Sequence, residues 1–306
     1  MNKHTLITFG AMLWTPTIVV LGQSPPNLQS FSYSHGTCLI VTWRDPRLAI
    51  AEDTQYVETS DRPSATGSYD LGTTGKMCKL RQTAPYILLT MDGTEKVLND
   101  RNEVVWDGLD IARRLFEPAE SRTTVGQLLN TAALWQSTFE RLIDLGAINK
   151  RDATEDQVVT QLHVLGYFDA KPIVITARFI VVAGQIAKTA PYLVPDPQAN
   201  EVKVLKYGSC NKHLGDNVSR ADLTVEELKR YTALRMDEQP RAATGSELTI
   251  LATDYVKLGA DISAREATHD HPADVGLPIV SAVINPETGS WSFTRPIPDV
   301  CFPFAN

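Results

Sequence analysis

The segment that decides the fold is SYSHGTCLIVTWRDPRLAIAEDTQYVE, residues 32–58. Two apolar runs, residues 38–43 and 48–51, flank a short charged turn, a pattern that predicts the two strands of a hairpin. Thr37 directly precedes the first strand, and Asp53 follows the second at an offset of 16 positions (53 − 37). This spacing places a hydroxyl group and a carboxylate at the same end of one hairpin.

Bulk composition indicates a globular protein and excludes one class of partner. The chain has 306 residues, of which 43% are hydrophobic, so it is long enough to bury one large core or two smaller ones. The net charge is −7, and basic residues occur in runs no longer than a pair. Nucleic-acid binding requires clustered cationic side chains, so we expect no nucleic-acid partner.

The N-terminus has the composition of a secretory signal peptide. Lys3 precedes an apolar stretch, residues 6–22, that carries no charge and ends at Gly22. We predict a signal peptide over residues 1–22 and a secreted or periplasmic protein; an uncleaved anchor and a buried helix are the alternatives. No later segment approaches 18 apolar residues, so no membrane span is expected after signal cleavage. Residues 23–36 are predicted to be a leader, and residues 37–306 a single domain.

The cysteine count leaves two interpretations open. Cys38, Cys78, Cys210 and Cys301 are an even number, compatible with two disulfides in an oxidising compartment. Four buried thiols are the alternative. No C-x-x-C motif occurs, so zinc-ribbon and thioredoxin-like sites are excluded.

The remaining pattern predicts strands and helices in separate blocks. Further strands are expected at residues 77–80, 86–91, 172–184 and 246–255, an exposed loop at 60–75, and helices at 104–116, 124–146 and 223–239. The last helix begins with Thr224 and Glu227, which have the form of a capping box. Blocks of strands and blocks of helices favour an α+β fold over an alternating βαβ fold.

The segment GTCLIVTWRDPRLAIAEDTQ, residues 36–55, resembles the opening of proteasome-type β subunits, members of the N-terminal-nucleophile hydrolases. The resemblance continues through APYILLTMDG and the Gly208-Ser209 pair, and it covers the chain to about residue 254. It implies a four-layer αββα sandwich, with two antiparallel sheets between helical layers. It also implies a threonine-type peptidase or amidase that acts on a peptide or small amide, and self-association into rings.

The family's functional positions can be carried onto this chain one by one. In that family a Gly–Thr bond is cut, and the freed threonine, here Thr37, is both nucleophile and base. Asp53 matches the orienting carboxylate, and Lys76 of GKMCKL is assigned as the lysine beside it. The resemblance further implies an oxyanion-binding amide at Gly93 and an assisting hydroxyl at Ser209. No cofactor is implied.

The amino terminus explains why a threonine is suited to this chemistry. A hydroxyl group is a poor nucleophile until a base removes its proton. An α-amino group titrates at about 7.7–8.0, so a terminal threonine carries its own base. While Thr37 is joined to Gly36, its nitrogen is an amide and cannot serve.

Three alternatives stay open. A non-catalytic assembly or binding protein can share this fold, and the chain carries Gln55 and Arg241 where active members carry a basic residue and an aspartate. Cys38 is an alternative nucleophile, although its offset of 15 from Asp53 (53 − 38) turns its side chain to the other sheet face. A metal site in THDHPAD is the third, with His269, Asp270, His271 and Asp274 as its candidate ligands.

Overall fold

The fold consists of fifteen strands and five α-helices within the described part of the chain. The computed structural model describes residues 32–35, 37–63, 69–99, 101–119, 123–144, 148, 158–199, 201–237, 244–268, 272–299 and 301. The strands are β1 (Ser32–His35), β2 (Cys38–Arg44), β3 (Arg47–Asp53), β4 (Gln55–Pro63), β5 (Tyr69–Lys76), β6 (Arg81–Ala84), β7 (Ile87–Gly93), β8 (Lys96–Leu98), β9 (Val104–Asp107), β10 (Val158–Phe168), β11 (Lys171–Val182), β12 (Gln185–Leu193), β13 (Lys203–Gly208), β14 (Ile279–Ile284) and β15 (Trp291–Phe293). The helices are α1 (Gly108–Phe116), α2 (Val125–Asp144), α3 (Ser209–Leu214), α4 (Val225–Asp237) and α5 (Gly245–Glu266).

The strands form three five-stranded sheets whose pairings are antiparallel. Their orders are β5-β4-β1-β8-β9, β12-β11-β10-β7-β6 and β13-β2-β3-β14-β15. The predicted mixture of helices with antiparallel sheets is therefore confirmed.

The hairpin predicted from the opening segment lies at the centre of one sheet. Strands β2 and β3 pair in a register that sets Leu39 opposite Glu52 and Arg44 opposite Arg47. Thr37 directly precedes β2, and Asp53 ends β3. Both residues therefore lie at the same end of the hairpin, as their spacing predicted.

Three apolar clusters stabilise this arrangement. The first packs α1 and α2 on β7, β10 and β11, through side chains that include Trp135 and Phe139. The second packs α5 on one face of β2 and β3, through side chains that include Ile40 and Tyr255. The third lies between the other face of that hairpin and the strands of the second sheet, and Trp43 belongs to it. Alternating residues of β2 thus enter opposite cores, as the period of two requires.

Three predicted elements are wrong, and the helix expected at residues 104–116 begins only at Gly108, because residues 104–107 form β9. Residues 60–75, expected to be a loop, lie largely in β4 and β5, which pair with each other through backbone hydrogen bonds that turn-rich composition does not reveal. Residues 77–80 form no strand, and residues 246–255 belong to α5. Thr244 caps α5 in a capping box with Glu247, a signal that was present in the sequence.

The capping box predicted at α4 is confirmed. The Thr224 backbone N–H donates to Glu227 Oε2 at 2.7 Å, and the Glu227 N–H donates to Thr224 Oγ1 at 3.2 Å. No described helix combines the length and the apolar character needed to cross a membrane.

Two disulfides join distant parts of the chain, so the interpretation of four buried thiols is wrong. Cys38 at the start of β2 pairs with Cys210 in α3, and Cys78 pairs with Cys301. The first bond links the residue after Thr37 to the residue after Ser209. It therefore ties two of the predicted site positions together.

Replacing Trp135 with alanine tests the packing of α2. The indole is buried and donates to the Gly108 carbonyl at 2.9 Å, so its loss leaves a cavity and removes this hydrogen bond. We expect Trp135→Ala to lower the free energy of unfolding by about 3–5 kcal/mol, measured by denaturant titration. Leu134→Ala, at a neighbouring position that is 58% exposed, should change it by less than about 0.5 kcal/mol. Equal losses in both variants would contradict this packing.

Candidate active site

Thr37 is held in place by hydrogen bonds at its carbonyl, at its hydroxyl and at the amide of the next residue. It is buried, and its carbonyl accepts a hydrogen bond from the Ser209 N–H at 2.7 Å. The next residue, Cys38, donates its backbone N–H to Asp53 Oδ1 at 2.8 Å. The Thr37 hydroxyl donates to Glu95 Oε1 at 2.5 Å. The threonine side chain therefore has a defined direction as well as a defined position.

Asp53 is oriented by backbone amides. Besides Cys38, the N–H groups of Gln55 and Gly276 donate to its second carboxylate oxygen at 3.1 and 3.2 Å. Burial raises the pKa of Asp53 above its ordinary value, while Lys79 and the Cys38 and Gly276 amides oppose that rise. The carboxylate has little freedom to rotate, because donors from three segments hold it.

Lys79 is the cation of the site. Its Nζ lies 3.4 Å from Asp53 Oδ1 and 3.8 Å from Glu95 Oε1, and it donates to the Gln55 carbonyl. Burial by itself would lower the pKa of Lys79, but Asp53, Glu95 and Glu52 outweigh it and raise that pKa. Lys79 is therefore an ammonium group at neutral pH.

Glu95 and Glu52 complete a buried acidic–lysine cluster, which we define as Asp53, Lys79, Glu95 and Glu52. Burial raises the pKa of Glu95 to about 7, although Lys79 and the Thr37 hydrogen bond act in the opposite direction. Burial also raises the pKa of Glu52 well above its ordinary value, and Thr90 Oγ1 donates to Glu52 at 2.7 Å. One ammonium group faces three carboxyl groups, so protons are retained on part of the cluster at neutral pH.

A second polar cluster lies next to Ser209. The Ser209 hydroxyl donates to Asp274 Oδ2 at 2.7 Å, and the Ser263 hydroxyl donates to Asp274 Oδ1 at 2.6 Å. His213 Nε2 lies 3.5 Å from the same oxygen. Burial alone would raise the pKa of Asp274, but the hydrogen bonds from His213, Ser263 and Ser209 hold it below its ordinary value. Asp274 is therefore an ionised carboxylate that fixes the Ser209 side chain.

Two glycines allow the backbone to reach this geometry. Gly93 ends β7 with φ of +76°, and a Cβ atom there would lie 2.6 Å from the Val159 carbonyl oxygen. Gly208 has φ of +56°, and a Cβ atom there would lie 2.1 Å from the Thr37 carbonyl oxygen. Both positions therefore require glycine. Gly93 precedes by two residues Glu95, whose side chain accepts the hydrogen bond from the Thr37 hydroxyl.

Most of the predicted site residues come together, but the predicted lysine does not. Thr37 is linked to Ser209 by a direct backbone hydrogen bond and to Asp53 through Cys38. Lys76 is exposed at the end of β5, where its backbone pairs with Gln55. The lysine beside Asp53 is Lys79, three residues later, so the choice of Lys76 is corrected.

Two positions, Arg241 and Gln55, carry residues that differ from those expected from the family resemblance. The carboxylate beside Ser209 is Asp274, whereas Arg241, at the position where the resemblance implied one, lies outside the described residues. Gln55, which stands where a basic residue was expected, donates its side-chain amide to the Ala273 carbonyl. The segment that ends in Gly276 thus contacts both polar clusters.

Two alternatives have different outcomes. Cys38 is bonded to Cys210, so it has no thiol, and its assignment as nucleophile is wrong. His269, Asp270 and His271 lie outside the described residues, and no metal-binding group of three or more His, Cys, Asp or Glu side chains occurs among the residues that are described.

Sequence reasoning missed Lys79 and Glu95 for different reasons. Lys79 stands between Cys78 and Leu80 in a short apolar run, a context that indicates a buried lysine. Glu95 lies in a polar stretch between two strands and carries no such signal. Its approach to Thr37 depends on how β7 and β2 pack, which no local pattern encodes.

Comparison with known proteins assigns no family to the chain. No protein-family model matches it, and no curated protein sequence matches it. The chemistry of the Thr37 site is therefore inferred from its own contacts.

Replacing Glu52 with glutamine tests the burial of the acidic–lysine cluster. A raised carboxyl pKa means that the folded chain keeps a proton that the unfolded chain loses, so wild-type stability falls as pH rises above the ordinary value of 4.5. The carboxamide of the variant does not titrate and can still accept a hydrogen bond from Thr90. We therefore expect Glu52→Gln to gain at least about 1.4 kcal/mol relative to wild type between pH 5 and pH 8, measured by denaturant titration.

The control for this measurement is Glu226→Gln, at a side chain that is 76% exposed. Its stability should follow the wild-type pH dependence. If Glu52→Gln also followed it, the carboxyl would not be retaining a proton in the folded state.

Proposed function

We propose that this chain is a threonine-type peptidase or amidase of the proteasome-like N-terminal-nucleophile hydrolases, activated by exposure of Thr37 as a new amino terminus. The observation that carries this proposal is the convergence of the acidic–lysine cluster and the Ser209–Asp274 pair on one buried threonine at the start of β2. A purely structural threonine beside a strand would not require a hydrogen bond to a buried carboxyl group that itself lies next to a buried ammonium group.

In this mechanism the freed Thr37 amine is the base. It accepts the hydroxyl proton, and Oγ1 attacks the carbonyl carbon of the substrate amide. The amine later returns the proton to the leaving nitrogen, and water hydrolyses the resulting ester. The Lys79 ammonium group favours the neutral form of the amine and stabilises the negative charge that develops on the attacking oxygen.

Backbone and hydroxyl groups complete the proposed site. Asp53 holds Lys79 in place, as the orienting carboxylate does in other triads. Ser209, whose hydroxyl donates to Asp274, is assigned as the group that assists the Thr37 amine once it is free. The amide near Gly93 is assigned to the tetrahedral oxyanion, a contribution commonly worth about 3 kcal/mol.

The pairing of β1 supports an extended peptide as the substrate. This strand ends at His35, two residues before Thr37, and pairs with β4 on one side and β8 on the other. A peptide bound in the place of β1 would form backbone hydrogen bonds with both strands. Its carboxyl-terminal end would point toward the Thr37 hydroxyl.

Three wider properties belong to the same proposal. The three apolar clusters are compatible with a four-layer αββα sandwich. The disulfides support folding in an oxidising compartment, and with it export through a signal peptide over residues 1–22. Self-association into rings follows from the family resemblance alone.

Replacing Thr37 tests the nucleophile. Thr37→Ala should retain residues 23–36 and lose hydrolysis of peptide amides to below about a thousandth of wild type, because no attacking oxygen remains. Thr37→Ser keeps the hydroxyl and should be processed. Intact mass and amino-terminal sequencing report the leader, and fluorogenic peptide amides report the activity. A wild-type chain that keeps its leader and hydrolyses nothing would favour the non-catalytic alternative.

A matched pair of lysine variants tests the corrected assignment. Lys79→Met leaves buried carboxylates without a cation, so we expect a loss of about 3–5 kcal/mol in unfolding free energy and at least about a hundredfold loss in hydrolysis. Lys76→Met removes an exposed lysine and should leave the unfolding free energy and the rate of hydrolysis unchanged within error. Full activity in Lys79→Met would exclude Lys79 from the mechanism.

A further inference from the structure

We propose that Glu95 is the base that removes the Thr37 hydroxyl proton while Thr37 is still joined to Gly36, and so starts the release of the leader. The inference rests on the proposed function, because it explains how that site is activated. The need for such a group follows from elementary chemistry. In the uncut chain the Thr37 nitrogen is an amide, so the base that serves the freed enzyme does not yet exist.

The geometry of the uncut chain assigns this role to Glu95. Its Oε1 accepts the Thr37 hydroxyl hydrogen bond at 2.5 Å, the direct contact that proton transfer requires. Both groups are buried, so bulk water does not compete for the proton. Within the predicted leader, β1 pairs with β4 and β8 and ends two residues before Thr37.

Three other ionisable groups of the site are engaged in other interactions. Lys79 is held as an ammonium group by its acidic neighbours and cannot accept a proton at neutral pH. Asp53 directs its oxygens at the Cys38, Gln55 and Gly276 amides and at Lys79. Asp274 accepts from Ser209 and Ser263.

The surroundings of Glu95 set its proton affinity near neutral pH. Burial raises the pKa of Glu95 to about 7, close to the value at which a general base is most effective. Glu95 interacts electrostatically with five charged or titratable groups on the elements packed around it. These are Lys79, Asp53, Asp92, Glu52 and Arg81. Most of these are acids, so the ionised form of Glu95 is not stabilised far below neutrality.

The step balances with one water molecule as the co-reactant. Thr37 Oγ1 attacks the carbonyl carbon of Gly36, and its proton passes to the Glu95 carboxylate. The Gly36–Thr37 C–N bond then breaks, and the protonated Glu95 gives its proton to the departing Thr37 nitrogen. The resulting ester between Gly36 and Thr37 is hydrolysed by water. The products are a leader that ends in a carboxylate and a chain that begins with a free amine and hydroxyl.

Glu95 has a smaller part after release. The Thr37 amine then lies on the same residue as the hydroxyl and becomes its base. Loss of the Glu95 carboxylate should therefore affect leader release far more than substrate turnover. This difference separates a base for activation from a side chain that merely supports the fold.

The test measures leader release after a pH jump. The full chain is purified at pH 5, where Glu95 is protonated, and shifted to values between pH 5 and 9, with intact mass recorded over time. For wild type the rate should rise about tenfold per pH unit below pH 7 and level off above it, because ionised Glu95 is the active form. Glu95→Gln should release the leader at least about a hundredfold more slowly at pH 8, and Glu95→Asp should recover part of that loss.

Turnover is measured separately, on protein whose leader is replaced by a sequence that a site-specific protease removes to expose Thr37. There Glu95→Gln also lowers hydrolysis of a peptide amide, because its carboxylate contacts the Thr37 hydroxyl and Lys79, but this loss should be smaller than the loss in leader release. Wild-type leader release in Glu95→Gln, or a wild-type rate that is flat between pH 5 and 8, overturns the role of Glu95. Should Glu95→Gln fail to fold, the wild-type pH profile alone decides.

The Thr37→Ala variant separates this inference from the proposed function. Leader release that persists in Thr37→Ala overturns both. Leader release that requires Thr37 but is indifferent to Glu95 overturns only the role of Glu95.

Discussion

The burial of one ammonium group among three carboxyl groups is the constraint on which the Thr37 site depends. Carboxylates removed from water need a cation or a proton, and Lys79 is the cation that lies between Asp53 and Glu95. Because one cation cannot neutralise three acids, burial raises the pKa of Glu52 well above its ordinary value and the pKa of Glu95 to about 7. The same arrangement that stabilises the fold at this end of the hairpin therefore supplies groups able to donate and accept protons.

The site also requires a fixed backbone at Thr37, and residues outside the β2–β3 hairpin make the contacts that fix it. The Ser209 N–H holds the Thr37 carbonyl, and a disulfide joins the residues that follow each of them. The segment that ends in Gly276 reaches both Asp53 and, through Asp274, the Ser209 hydroxyl. Elements far apart in the chain thus set the position of one threonine, and preorganisation of this kind is what catalysis by positioned groups requires.

Local patterns predicted those parts of the fold in which local forces dominate. The β2–β3 hairpin, the long α2 helix and the capping box of α4 each follow from hydrophobic period or from hydrogen bonds within a few residues. Local patterns failed to predict secondary structure where backbone pairing between separate strands, or hydrogen bonds of threonine side chains, determine it. Strands β4 and β5 gain their backbone partners from each other in spite of turn-rich composition, and α5 accommodates threonines whose hydroxyls donate to carbonyls four residues back.

By itself, the sequence determined that Thr37 and Asp53 lie at one end of a hairpin, because strand geometry converts their spacing into position. The family resemblance pointed to the Gly208-Ser209 pair, and its place beside the hairpin follows from the pairing of β13 with β2. Only the tertiary structure decided which lysine accompanies Asp53 and that Glu95 reaches the hydroxyl. Both depend on how one sheet packs against another. Lys76 is exposed to solvent, whereas Lys79, three residues later, is buried in the acidic–lysine cluster. The distances between these side chains are set by the packing of the whole core, so no short segment of sequence encodes them.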